Sequence, residues 1–146
     1  MFFYRLKNFI RVFFALTVVM VSLFLLFTVS VCQLSDCGGE RVFYLDSPSS
    51  QGLRKSELGI SDIFRVKGET IRFKTQDSKE GFLKETLLKY QAELLFSEKI
   101  GETISYYCYA KGLDGGIVLN GRMVNLHVVW KEGEAVLGTP IIFDGY

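Results

Sequence analysis

His127 is the single histidine of this chain, and it lies in the run MVNLHVVW at 123–130. Two-residue alternation puts Val124, Leu126, Val128 and Trp130 on one face, and Asn125, His127 and Val129 on the other. If the first face meets a helix, His127 turns toward the opposite, more open side. A hydrolase built on His127 would need a Ser or Cys nucleophile and an acid to orient the ring. No nucleophile-elbow or Cys-His signature accompanies it, so a solvated strand histidine is the simpler expectation. The three cysteines, Cys32, Cys37 and Cys108, form no CxxC, and with one histidine they make a poor zinc set. Cys32 and Cys37 are close enough in sequence to bridge in an oxidising compartment. Cys108 alternates in phase with Ile104 and Tyr106, as a buried, inert thiol would.

Tyr106, Tyr107 and Tyr109 are crowded into one strand-like stretch, SYYCYA at 105–110. Alternation divides them, leaving Tyr107 and Tyr109 on the side that also holds His127. These three are the candidate ligand-facing residues, since aromatic faces stack sugars or bases. Cross-strand packing is the commoner use of such side chains. The carboxylates Glu102, Asp114, Glu132, Glu134 and Asp144 fall mostly in turns, and nothing in their spacing pairs them for glycoside hydrolysis. Glycines such as Gly115-Gly116, Gly133 and Gly138 separate strands rather than open a helix, so no phosphate cradle is visible. No catalytic residue, cofactor or metal site is expected.

The elements behind these residues form an α+β pattern. RVFYLD at 41–46 reads as a strand, SPSSQG at 47–52 as a turn, and SELGISDIF at 56–64 as one or two helical turns with Ser56 as a possible cap. VKGETIRFKT at 66–75 reads as a strand, or as a hairpin turning at Lys67-Gly68. A helix is predicted from Ser78 to about Phe96, capped by Asp77 or Ser78, with Phe82, Leu83, Leu87, Tyr90, Leu94 and Leu95 on its apolar stripe. Strands follow at 103–110, in a hairpin over 117–130 turning at Asn120-Gly121, and at 135–143. The sum is one long amphipathic helix packed on a mostly antiparallel sheet, preceded by a single transmembrane helix. The run Pro140–Phe143 reads as an edge able to accept another strand.

The chain has 146 residues, 49% of them hydrophobic, and much of that excess sits at the N-terminus. Val12–Cys32 contains no charge over 21 residues, long enough to cross a bilayer's hydrocarbon core of about 30 Å. Thr17, Ser22, Thr28 and Ser30 interrupt it, and each can bond its own helix carbonyls. Arg5, Lys7 and Arg11 precede the run, while Asp36 and Glu40 are the first charges after it. The positive-inside rule then keeps the N-terminus in the cytoplasm and sends the rest outside. The expected division is a basic tail at 1–11, a signal-anchor at 12–32, a linker at 33–40 and an extracytoplasmic domain at 41–146. Retention, cleavage after Thr28 and Ser30 at a −3/−1 spacing, and lipidation at Cys32 are three fates open to the segment.

Beyond residue 35 there are 14 Lys/Arg against 16 Asp/Glu. A net −2 domain lacks the clustered cations that replace phosphate counterions, so no nucleic-acid partner is expected. Three stretches, SYYCYA at 105–110, VLNGRMVNLHVVW at 118–130 and LGTPIIFDGY at 137–146, together resemble the YwmB-like proteins of spore-forming Firmicutes. The resemblance implies a secreted or membrane-anchored protein with a TATA-box-binding-like fold, and brings no catalytic or binding residues with it. DNA binding is expected to be absent, because a groove-bending saddle needs a basic surface. The expected role is a non-enzymatic interaction or assembly domain of the cell envelope, with a protein partner. The alternatives are a small module binding cell-wall glycan and a cryptic hydrolase centred on His127.

Overall fold

The computed structural model describes residues 2–34, 38–47 and 53–142, and within the first helix the side chains of 7–26. It divides into two compact units, the first ending at Cys32 and the second beginning at Gln33. The first unit is α1, a 30-residue helix over Phe2–Val31. Its stretch Lys7–Leu26 is long and apolar enough to cross a membrane, a test that a signal sequence also passes. Polar breaks in this helix are self-satisfied: Thr17 Oγ1 donates to the Phe13 carbonyl and Ser22 Oγ to that of Val18, both at 2.9 Å. Thr28 and Ser30 carry side chains outside the described ones.

The second unit is α+β. Its strands are β1 (Glu40–Leu45), β2 (Leu53–Lys55), β3 (Val66–Lys74), β4 (Ala92–Ile100), β5 (Thr103–Ala110), β6 (Ile117–Leu119), β7 (Arg122–Val124), β8 (Leu126–Lys131) and β9 (Glu134–Thr139). A 3-10 helix covers Ile60–Arg65, and α2 covers Lys79–Lys89. Seven strands pair antiparallel in the order β2-β1-β3-β9-β8-β5-β4, while β6 and β7 form a separate hairpin. That hairpin turns at Asn120-Gly121, both at positive φ (50° and 74°), as a type I′ turn demands. Gly68 sits inside the single strand β3, so no hairpin turns there, and the 3-10 helix is capped at Gly59 rather than Ser56.

α2 starts where expected: Ser78 Oγ accepts the Gly81 N–H at 3.2 Å, and Glu80 lies in the positively polarised first turn. It ends earlier. The chain reverses at Tyr90-Gln91, with Gln91 at φ 48°, and residues 92–100 form β4 instead of a continuing helix. A β-bulge between Leu94 and Phe96 explains the misleading pattern. The extra residue, Leu95, puts three apolar side chains in a row and breaks the two-residue alternation, leaving a spacing that imitates a helical stripe.

One face of the sheet carries the main core. Ile71, Tyr106, Cys108, Leu126, Val128 and Leu137 are buried there beneath Phe82 of α2, whose ring lies 5.5 Å from Phe73 and 5.6 Å from Trp130. Leu34 belongs to this core at 1% exposure. The expected linker is therefore in part a structural segment: the chain is already built into the domain at Gln33 and Leu34, while 35–37 lie outside the described residues. Leu34 N–H donates to Glu69 Oε1, its carbonyl accepts from Arg41 Nη2 at 3.0 Å, and Arg41 Nη1 reaches Glu69 Oε2 at 2.8 Å. Gln33 Oε1 accepts the Asp114 N–H at 2.9 Å. Burial pushes the Glu69 carboxyl above its ordinary range even though Arg41 and the Leu34 amide pull it down.

Candidate functional site

The second face of the sheet receives the residues singled out from the sequence. Tyr107 pairs with His127 across β5 and β8, and the rings stack at 4.5 Å between centroids with 9° between planes. Phe96 stacks on the far side of Tyr107 at 4.6 Å, and Tyr107 Oη donates to Glu98 Oε2 at 3.2 Å. Beyond His127 the partner is Gly138 on β9. After β9 the chain turns through a cis Thr139-Pro140 bond, and Ile142 crosses above Gly138. A Cβ at Gly138 would come within 2.6 Å of Ile142 Cγ1, so the crossing needs glycine. Ile142 N–H donates to His127 Nδ1 at 3.2 Å, and Ile142 closes a small cluster with Val129 and Val136.

His127 is consequently buried, at 1% exposure, and is not the solvated strand residue expected from alternation. Alternation identified its face correctly, but the C-terminal crossing covers that face. Burial pulls the imidazole down to about 4, so it is neutral near pH 7, and accepting from Ile142 assigns its proton to Nε2. Tyr107 is buried beside it, and of the three candidate ligand-facing residues only Tyr109 is exposed. A ligand could stack on Tyr109 directly but would have to displace covering groups to reach the other two.

Pro140–Ile142 is not a strand edge. β9 lies inside the sheet between β3 and β8, and Phe143 lies outside the described residues. Cys37 also lies outside them, and with it any bridge to Cys32. Cys108 is fully buried, and burial raises its thiol to about 12, far from thiolate chemistry at neutral pH. The carboxylates that looked unpaired are partly brought together. Glu102 in the β4–β5 turn and Glu132 in the β8–β9 turn are neighbours, and the shared hydrogen bond raises Glu102. Both are exposed. Among the described residues no group of three His, Cys, Asp or Glu side chains could hold a metal ion.

The feature that residue spacing does not locate lies beside α2. Seven strands at about 4.8 Å spacing make a sheet roughly 30 Å wide, and one helix about 10 Å across cannot cover it. Along the flank of α2 toward β4 runs a groove of about 560 Å³. Leu83, Lys84, Leu87 and Leu88 form its wall, Lys79 and Glu80 stand at one end, and Ala92 and Tyr106 contribute from the sheet. Leu88 is 70% exposed and Leu94, on the core-facing side of β4, 39%. Leu83, Leu87 and Leu94 belong to the stripe expected on a helix running to Phe96, whereas Leu88 lies off that stripe. With the chain reversed at Gln91, part of that stripe faces outward. A smaller hollow of about 140 Å³ lies on the other flank of α2, next to Phe73 and Tyr90.

No family model, curated protein or solved structure matches this chain.

Proposed function

We propose that this chain is a single-span protein of the cell envelope, its N-terminus in the cytoplasm and its α+β domain outside. The domain works by docking a protein partner rather than by catalysis. The observation that carries the reading is the groove beside α2, an apolar surface with leucines left in solvent. Isolated exposed leucines are ordinary, but a leucine-walled groove continuous with a sheet edge is how docking surfaces are built. The orientation rests on Arg5, Lys7 and Arg11 before the uncharged run 12–32 and on Asp36 and Glu40 after it. The net −2 balance beyond residue 35 supports a partner other than nucleic acid. Kinship with the YwmB-like proteins, themselves secreted or anchored, belongs to the same proposal.

The test is a photo-crosslinking amino acid placed at Leu88 in the full chain in its native membrane, with Lys131 on the opposite end of the sheet as control. A discrete adduct from position 88, lost on adding Leu87→Glu and not seen from position 131, is the expected result. Equal, diffuse labelling from both positions would remove the groove from consideration.

A further inference from the structure

We infer that the groove takes its partner as an extended segment, which adds to the end of β4 nearest α2 and carries an acidic residue to Lys84. The inference rests on the docking reading and narrows it. Among the described residues β4 is an outermost strand, bonded on one side only, to β5. Such a strand presents a row of backbone donors and acceptors that an incoming strand can satisfy. The middle of this edge is guarded. The bulge at Leu95 interrupts the pairing geometry, and Arg122 Nη1 already donates to the Leu95 carbonyl at 2.9 Å. Of the two stretches left on this edge, Ala92–Leu94 and 97–100, only the first opens on the groove. A strand laid there sends alternate side chains toward the core side of the sheet, onto Leu87, Leu88 and Leu94. The opposite edge, β2, is only three residues long.

Charge adds a second selection. Lys79 is paired with Glu80 at 3.2 Å, whereas Lys84 on the groove wall has no ion-pair partner among the described residues. An acidic side chain on the incoming segment would complete it. The recognised segment is therefore short and extended, with apolar residues two apart and an Asp or Glu near them.

Random octapeptides displayed on phage would be selected on the full chain in detergent micelles and counter-selected on the Leu88→Glu variant, whose exposed position leaves folding intact. Enriched peptides should show apolar residues at i and i+2 with a neighbouring acid. Lys84→Glu should reverse the charge preference, and N-methylation of alternate peptide amides should weaken binding at least tenfold. Apolar spacing of i, i+3 and i+4, indifference to N-methylation, or no enrichment over Leu88→Glu would each overturn strand addition. So would displacement of the selected peptides by a simple fatty acid, which would make the groove an acyl-chain site. The crosslink at position 88 reports on protein docking independently, so the two proposals can fail separately.

Discussion

Beside the apolar core, a few buried polar side chains in unpromising places also fix this domain. Glu69 is fully buried, and its raised carboxyl shows that burial outweighs the help it receives from Arg41. Removing each member should therefore cost differently. Arg41→Ala leaves a buried carboxylate held only by the Leu34 and Gln33 amides, and about 3–5 kcal/mol of stability should be lost at pH 7. Glu69→Gln keeps an acceptor for the Leu34 amide and removes the charge, so its cost should be nearer about 1 kcal/mol. The Arg41→Ala deficit should shrink as pH falls and Glu69 protonates. Urea denaturation of the three proteins at pH 7 and pH 5 checks both statements.

His127 makes the second prediction at this scale. Its folded value is held at about 4 by burial, below the ordinary 6.5, so the unfolded chain binds the proton more readily between those limits. Stability must then rise with pH across that window and be lost as pH falls from about 6.5 toward 4, by about 3 kcal/mol in all. A His127→Gln variant should lose this slope while retaining those of the carboxylates. Wild type and variant compared by denaturant midpoint at pH 7, 5.5 and 4.5 should diverge in that order. Parallel curves would mean that the ring is solvated after all. None of this was legible in the sequence, because alternation tells which side chains share a face but not which face the chain later covers. Ile142, fifteen residues beyond His127 and past the end of β9, decides it.

At the scale of elements, what was legible had a local chemical cause. Asn120-Gly121 and Glu132-Gly133 turn with positive φ, Ser78 caps α2, and β5 is a run of aromatic and β-branched residues. What was not legible depended on pairing across the molecule. Residues 92–96 hold leucines at helical spacing, and only their register against Tyr107–Ala110 makes them a strand. Leu34 is a lone apolar residue in a polar stretch, and only the buried Glu69–Arg41 pair reveals it as the first residue of the core. A polypeptide beginning at Gln33 should thus be appreciably more stable than one beginning at Glu40. The shorter one loses a buried leucine and the Gln33 and Leu34 amides that Glu69 accepts, at about 3 kcal/mol or more. Thermal unfolding of the two purified fragments compares them directly, and equal midpoints would show that 33–39 is a passive linker. The groove beside α2 was hidden for the same reason as β4: both follow from the reversal at Gln91.

For the whole molecule the governing question is which side of a membrane the domain occupies, because the identity of any partner depends on it. Three cations stand in the first part of α1, ahead of the uncharged run 12–32, and no cation follows until Arg41, so insertion with the N-terminus retained is electrostatically favoured. The native cysteines are poor reporters of this, since Cys108 is buried and inert. A chain carrying Cys32→Ser, Cys37→Ser and Cys108→Ala, with Lys131→Cys at the exposed end of β8, is a better one. A membrane-impermeant maleimide should modify position 131 in intact cells as fully as in lysed ones. Labelling only after lysis would place the domain in the cytoplasm and overturn the orientation. The acid-seeking Lys84 would then face cytoplasmic segments, and the nucleic-acid reading would have to be weighed again on charge distribution alone. Mass spectrometry of the same labelled product adds the remaining fact. A mass retaining residues 1–32 means a domain tethered through its own core residue Leu34, whereas loss of the segment means a domain released with that residue near its new N-terminus.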